Sequence, residues 1–204
     1  MFQESEFIRP DKMRGTKMAN WCMNALTVSG PERAATELLS AMTGPDGLID
    51  FERLLPTPTD KLGRDTDPGL ELAVLLTASP SLIVGLADSS AGGEQVWRMA
   101  HWGSRAIADM RLDQNRSGPG HLVFVFQSAN TPPDMAIAAM SARWPGLAFE
   151  LLWAEPTNEV GGRFLFMAGE AISVSGVNDL AGAKELFERT VLADALGWER
   201  KADA

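Results

Sequence analysis

Hydrophobic and polar positions first become orderly at Trp21 to Gly30, where both alternating sets, Cys22/Leu26/Val28 and Trp21/Met23/Ala25, are mainly apolar. A strand with one wet face would alternate apolar and polar, so this pattern predicts a central strand covered on both sides. Ser29-Gly30-Pro31-Glu32 has the spacing of a capping box, and Ala34, Ala35, Leu38, Leu39 and Met42 follow at helical intervals until Gly44-Pro45. Leu48 to Leu55 reads as a short strand or turn, and Pro56 to Gly69 has loop chemistry. The uncharged run Leu72 to Ala87 spans only about 24 Å as a helix, short of a bilayer core, and Pro80 interrupts it. It predicts a helical insertion around residues 68–88 rather than a membrane span.

Val96 to Trp102 reads as a second strand and Leu122 to Phe126, continuously apolar between turn residues, as a third lying beside the first. Thr131-Pro132-Pro133-Asp134 predicts a helix start with Thr131 as cap; Ile137, Met140, Ser141 and Trp144 share its face. Leu147, Phe149, Leu151 and Trp153 alternate as a half-buried strand that Gly161-Gly162 turns back into a partner over Arg163 to Ala168. Ile172 to Val177 forms a possible short last strand, and Leu180, Ala183, Phe187 and Val191 mark a C-terminal helix from Asn178 or Asp179 to Gly197. Strand, helix, strand, strand, helix, strand is the order of a ferredoxin-like split βαβ plait. The expected class is therefore α+β, an antiparallel sheet with helices on one face, plus inserted helices and a C-terminal helix.

Composition narrows the picture. The 204 residues are 45% hydrophobic, enough for one core. Residues 18–204 are read as a single domain, and the polar residues 1–17, which lack the apolar core of a signal peptide, as an extension arm. A formal charge of −9 disfavours nucleic-acid phosphates and anionic membranes as partners. The single cysteine, Cys22, excludes an internal disulfide and a cysteine zinc cage, and suits a reducing cytoplasm.

Met18 to Gly30, His101-Trp-Gly-Ser-Arg105, Phe126-Gln-Ser-Ala-Asn-Thr-Pro-Pro133 and the Glu155 to Glu170 region resemble the YubB-type ferredoxin-like family of phage- and plasmid-borne proteins. The resemblance covers most of Met18 to Glu170. It implies a ferredoxin-like core and a mobile-element setting, and it implies no reaction. Ala106 and Asn130 stand where that family usually carries aromatics.

Candidate chemistry is sparse. No phosphate-cradling glycine motif, nucleophile elbow or metal-ligand spacing occurs, so no cofactor, metal or catalytic residue is assigned. His101, Trp102, Arg105, Glu155 and Glu170 are the candidate ligand-binding residues. Glu150, Glu155, Glu159 and Glu170 are the acids that a hairpin brings near one another, more simply read as solvated charges. The leading expectation is a non-enzymatic protein-binding or self-assembling accessory protein of a mobile element. Its rivals are a small enzyme with a cleft around His101, Trp102 and Glu155, and a single-stranded nucleic-acid binder stacking bases on Phe124 or Phe126.

Overall fold

The computed structural model describes residues 20–57, 93–155, 157 and 160–177. The expected extension arm, the helical insertion around 68–88 and the C-terminal helix lie outside the described residues.

The strands are β1 (Trp21–Ser29), β2 (Ile107–Leu112), β3 (His121–Ala129), β4 (Ala148–Glu155), β5 (Val160–Met167) and β6 (Glu170–Val177); the helices are α1 (Glu32–Met42), α2 (Gly93–Trp102) and α3 (Asp134–Arg143). A single 3-10 turn, Phe51–Arg53, follows α1 among the described residues. The six strands make one sheet in the order β2-β3-β1-β4-β5-β6, with every neighbouring pair antiparallel.

That sheet corrects the expected fold class. A ferredoxin-like α+β plait with helices on one face does not describe a chain whose described residues are mostly one six-stranded antiparallel sheet with three α-helices. Two local misreadings contributed. Val96 to Trp102 is helical, and β2 lies further on, where Asp109 interrupts the apolar run. Gly161 and Gly162 do not turn the chain; they lie within β5, opposite Ala154 and Trp153, and the β5–β6 pair carries the sheet outward.

The central position of β1 is as its composition requires. Leu26 faces Phe124 on β3 and Leu151 on β4, and all three are fully buried. They share a cluster with Val28, Phe149, Ala35, Leu38 and Met42 of α1, and Ala136, Ile137 and Met140 of α3. Burying a leucine or phenylalanine side chain contributes about 1.5–3 kcal/mol, so this cluster is the main source of order. The reverse-facing residues Met23, Ala25, Val123 and Val125 are buried too.

Neither expected cap forms. Pro31 occupies the N-cap of α1 and Pro133 that of α3, each without a side-chain cap bond. Ser29 remains in β1, its Oγ 3.0 Å from Nδ1 of His121. Proline at these positions fixes φ where no N–H donor is needed, so start signals survive without the serine or threonine bond.

Candidate functional site

Three segments that stood out in the sequence meet at one end of the sheet. Asn20 N–H donates to Asn130 Oδ1 at 3.2 Å, and Asn130 N–H returns a bond of 2.6 Å to the Asn20 carbonyl. Asn130 has φ of 69°, a left-handed conformation that asparagine adopts far more readily than a bulky aromatic does. The His101 to Arg105 segment joins from the other side. Ser104 Oγ lies 3.0 Å from the carbonyls of Ala129 and Ala106, and Thr131 Oγ1 donates to the Gly103 carbonyl. Thr131 therefore ties two loops together instead of capping α3. Gly103 has φ of +82°, and a Cβ there would sit 2.2 Å from Asp134 Oδ1, 3.2 Å from the Pro132 carbonyl and 3.3 Å from the Asp134 nitrogen.

Beneath this seam runs a file of buried polar side chains. Asn24, fully buried, donates through Nδ2 to the Cys22 carbonyl at 3.0 Å and to Ser128 Oγ at 2.8 Å. Ser128 Oγ donates onward to the Thr131 carbonyl at 2.8 Å. The Cys22 thiol lies 3.3 Å from the Asn130 carbonyl. Burial first, and then the charge of Glu155, push that thiol far above its ordinary range, so it stays protonated and is a poor nucleophile. Glu155 is itself buried and accepts the Thr157 N–H at 2.9 Å.

One pair in this file has unused valences. Asn24 Oδ1 and Trp153 Nε1 are both buried without hydrogen-bond partners. They belong to residues directly opposite on β1 and β4. A Cβ on Gly162 would come 2.8 Å from Trp153 Nε1, so the indole lies across β5 where that strand has no side chain. Asn24 Oδ1 is left as an unused acceptor and Trp153 Nε1 as an unused donor.

The candidate ligand-binding residues do not form one cleft. His101 is exposed, stacked on Trp97 with centroids 4.2 Å apart, and its Nδ1 is 2.9 Å from the Trp97 carbonyl. Trp102 is buried; its indole N–H donates to the Leu55 carbonyl at 3.1 Å while the Arg98 guanidinium covers its ring at 4.9 Å. Arg105 continues the seam, and Glu155 ends β4 at the same end of the sheet. Glu170 begins β6 at the opposite end, since it faces Met167, which faces Ala148. Glu150 is paired with Arg163 on the other face of β4 from Glu155. No group of three or more metal-ligating side chains exists among the described residues.

Arg98 anchors a charged cluster. It bonds Glu52 at 2.7 Å, Glu94 at 2.6 Å and Thr57 Oγ1 at 3.2 Å. Burial raises the Glu52 carboxyl, but donation from Thr57 N–H and Oγ1 and from Arg98 outweighs it and holds the group below its ordinary value. Glu52 and Thr57 tie α2 to the 3-10 turn and the residues after it, and Glu94 pairs with Arg98 within α2, which is structural work.

The sheet edges differ sharply. β2 has six residues, carries Asp109 and Arg111, and breaks register between Ala108 and Arg111, where Asp109 has φ of 54°. Charge, shortness and a bulge are the ordinary protections of an edge. β6 has fewer. Its residues from Ala171 to Val177 are uncharged, Ala171 to Gly176 are all exposed, and Ile172 and Val174 are 56% and 62% exposed. Its register break leaves Ile172 as an extra residue between Ala171, opposite Phe166, and Ser173, opposite Leu165, with Ser173 to Val177 regularly paired. Sequence reading passed over this edge because exposure depends on strand order.

Comparison with known proteins adds little. No family model matches the chain, and no curated protein matches it. Among solved structures, it is similar to protein api92 from Yersinia pseudotuberculosis, assigned to the DUF1281 family model, at 11% identity and a TM-score of 0.43, with 78% of this chain and 98% of that one covered.

Proposed function

We propose that the chain is a non-enzymatic binding module that presents the β6 edge to an extended segment, and that it works in the cytoplasm. The observation that carries this reading is an edge strand uncharged from Ala171 to Val177, with Ile172 and Val174 more than half exposed. An unpaired row of N–H and C=O groups recruits another strand by main-chain hydrogen bonds, while alternate side chains supply selectivity. Absence of any helix among the described residues long and apolar enough to cross a membrane is compatible with a cytoplasmic setting, as is the buried thiol of Cys22. The resemblance of Met18 to Gly30 and the other matched segments to the YubB-type family supports placing this role in a phage or plasmid.

The rival readings have less support. His101 and Trp102 are engaged with Trp97 and Leu55 instead of lining a cleft with Glu155. Phe124 and Phe126, the rings a single-stranded nucleic acid would need, are buried.

Affinity capture with the full chain tests the proposal, run beside Val174→Lys, which charges the edge without touching the core. Proteins retained by the unaltered chain, further copies of itself included, should be lost from the variant. Identical retention by both would end the strand-addition reading.

A further inference from the structure

We infer that Ser141 of α3 is the positioning residue of the β6 edge, setting the register of that strand by holding the β5–β6 turn. The inference rests on the strand-addition reading for its consequence and goes beyond it by naming what fixes the edge.

β6 does not specify its own register. Pairing is strongly determined where one face of a strand is buried, and Ala171 to Gly176 are all exposed. Alanine, serine and glycine make up most of that stretch and give little to choose between alternative pairings. A slip of one residue would carry Val174, now opposite Phe164, to the other face of the sheet. In a hairpin the turn decides instead.

This turn is not self-sufficient. Met167 pairs with Glu170 across Ala168 and Gly169, whose φ values are 51° and 89°. Positive φ at both central residues is what a type I′ turn requires, and asparagine followed by glycine meets that requirement best. Alanine in the first position brings a Cβ into a region that disfavours it. The extra residue Ile172 then separates the turn from the regular stretch Ser173 to Val177.

Ser141 supplies the missing constraint. It is fully buried, and its hydroxyl donates to the Ala138 carbonyl at 2.9 Å, which leaves a lone pair to accept the Gly169 N–H, also at 2.9 Å. The turn's own hydrogen bond joins its first and fourth residues, so the N–H of Gly169 has no partner within it. A Cβ on Gly169 would stand 3.0 Å from Ala142 Cβ, so the turn lies directly against α3. Ala136, Ile137 and Met140 seat that helix in the core. The bond therefore ties an exposed strand to a fixed body.

Hydrogen exchange followed by NMR on the full chain tests this. In the unaltered chain the Gly169 amide should be protected, although it lies in a turn. Ser141→Ala should speed exchange at Gly169 and along β6 by roughly two- to tenfold, the loss of one hydrogen bond appearing as local opening, while β1 and β3 keep their rates. Adding Ala168→Asn, at an exposed position, should restore slow exchange in β6, because asparagine repairs the turn without the serine.

An unprotected Gly169 amide in the unaltered chain would overturn the inference, and that result needs no variant to fold. So would unchanged β6 rates in Ser141→Ala, equal acceleration in β1 and β3, or failure of the asparagine rescue. None of these measurements involves a partner. If they hold while Val174-dependent capture fails, strand addition falls and Ser141 remains the register residue; if capture succeeds while β6 exchange ignores Ser141, this inference falls alone.

Discussion

Replacing Gly103 by alanine tests the seam where the separate sequence segments meet. The backbone there has φ of +82°, and placing an L-residue in that region costs roughly 1–2 kcal/mol. Added to this is crowding. The new methyl would force Asp134 Oδ1 away from 2.2 Å, weakening its 3.0 Å bond from the Met135 N–H, a loss of about 0.5–1.5 kcal/mol. The Pro132 carbonyl and Asp134 nitrogen, at 3.2 and 3.3 Å, are backbone atoms that yield less easily. Together these set an expected destabilisation of about 2–4 kcal/mol. Gly118→Ala is the matched control. Nothing lies within 4 Å of its added methyl and its φ is outside the left-handed region, so the change should be neutral or stabilise by about 0.4–1 kcal/mol through the unfolded chain. Urea unfolding of both variants, with slopes compared to establish that the same surface unfolds, gives the difference directly. Equal midpoints would mean that residues 103 and 134 are not in contact, and the assembly of the seam around Thr131 and Ser104 would fall with them.

Two further predictions use the same measurement. Leu26→Ala should cost about 2–5 kcal/mol because it empties a fully buried site, whereas Ser29→Ala, which loses only a bond to exposed His121, should cost less than about 1; equal costs would contradict the register of β1. Glu52 is held below its ordinary value of 4.5, so its charged form binds the folded state more strongly and its contribution, complete above that pH, is lost as pH falls through the lower folded value. Glu52→Gln should accordingly lower stability at neutral pH and flatten the acid limb of the stability profile; an unchanged limb would mean that the Thr57 and Arg98 bonds do not persist in solution.

What could be read from the residues depended on whether a signal was local. β1 and β3 were legible because both alternating sets are mainly apolar in β1 and wholly apolar over Leu122 to Phe126 of β3, a local property that needs no knowledge of neighbours. The Val96 to Trp102 segment misled because its tryptophans and valine suit a strand. Helical intervals were present all the same: Arg98 pairs with Glu94 and His101 stacks on Trp97, each four residues apart. β2 was missed because an edge strand is short and polar for the reason that it is an edge. Gly161-Gly162 was read as a turn because glycine usually breaks a strand, yet here the indole of Trp153 occupies the space a side chain would need.

Arg105 and Glu155 were picked out as neighbours of motifs, and both belong to the polar end of the sheet. Its interior was not legible. Asn24 looked like one polar interruption in an apolar strand, and nothing local joins it to Ser128, Thr131 or Trp153, each more than a hundred residues away. Those contacts exist only once β1 is set between β3 and β4 in one register. The same reasoning separates the two edges. Ile172 and Val174 would be ordinary core residues in an inner strand, and it is the position of β6 at the end of the strand order that leaves them in water. An apolar side chain in a strand is neutral information about function, whereas the same side chain on an unprotected edge demands a partner. The difference lies in topology, so the edge proposed for binding emerged only after the least motif-like stretch of the chain had been placed.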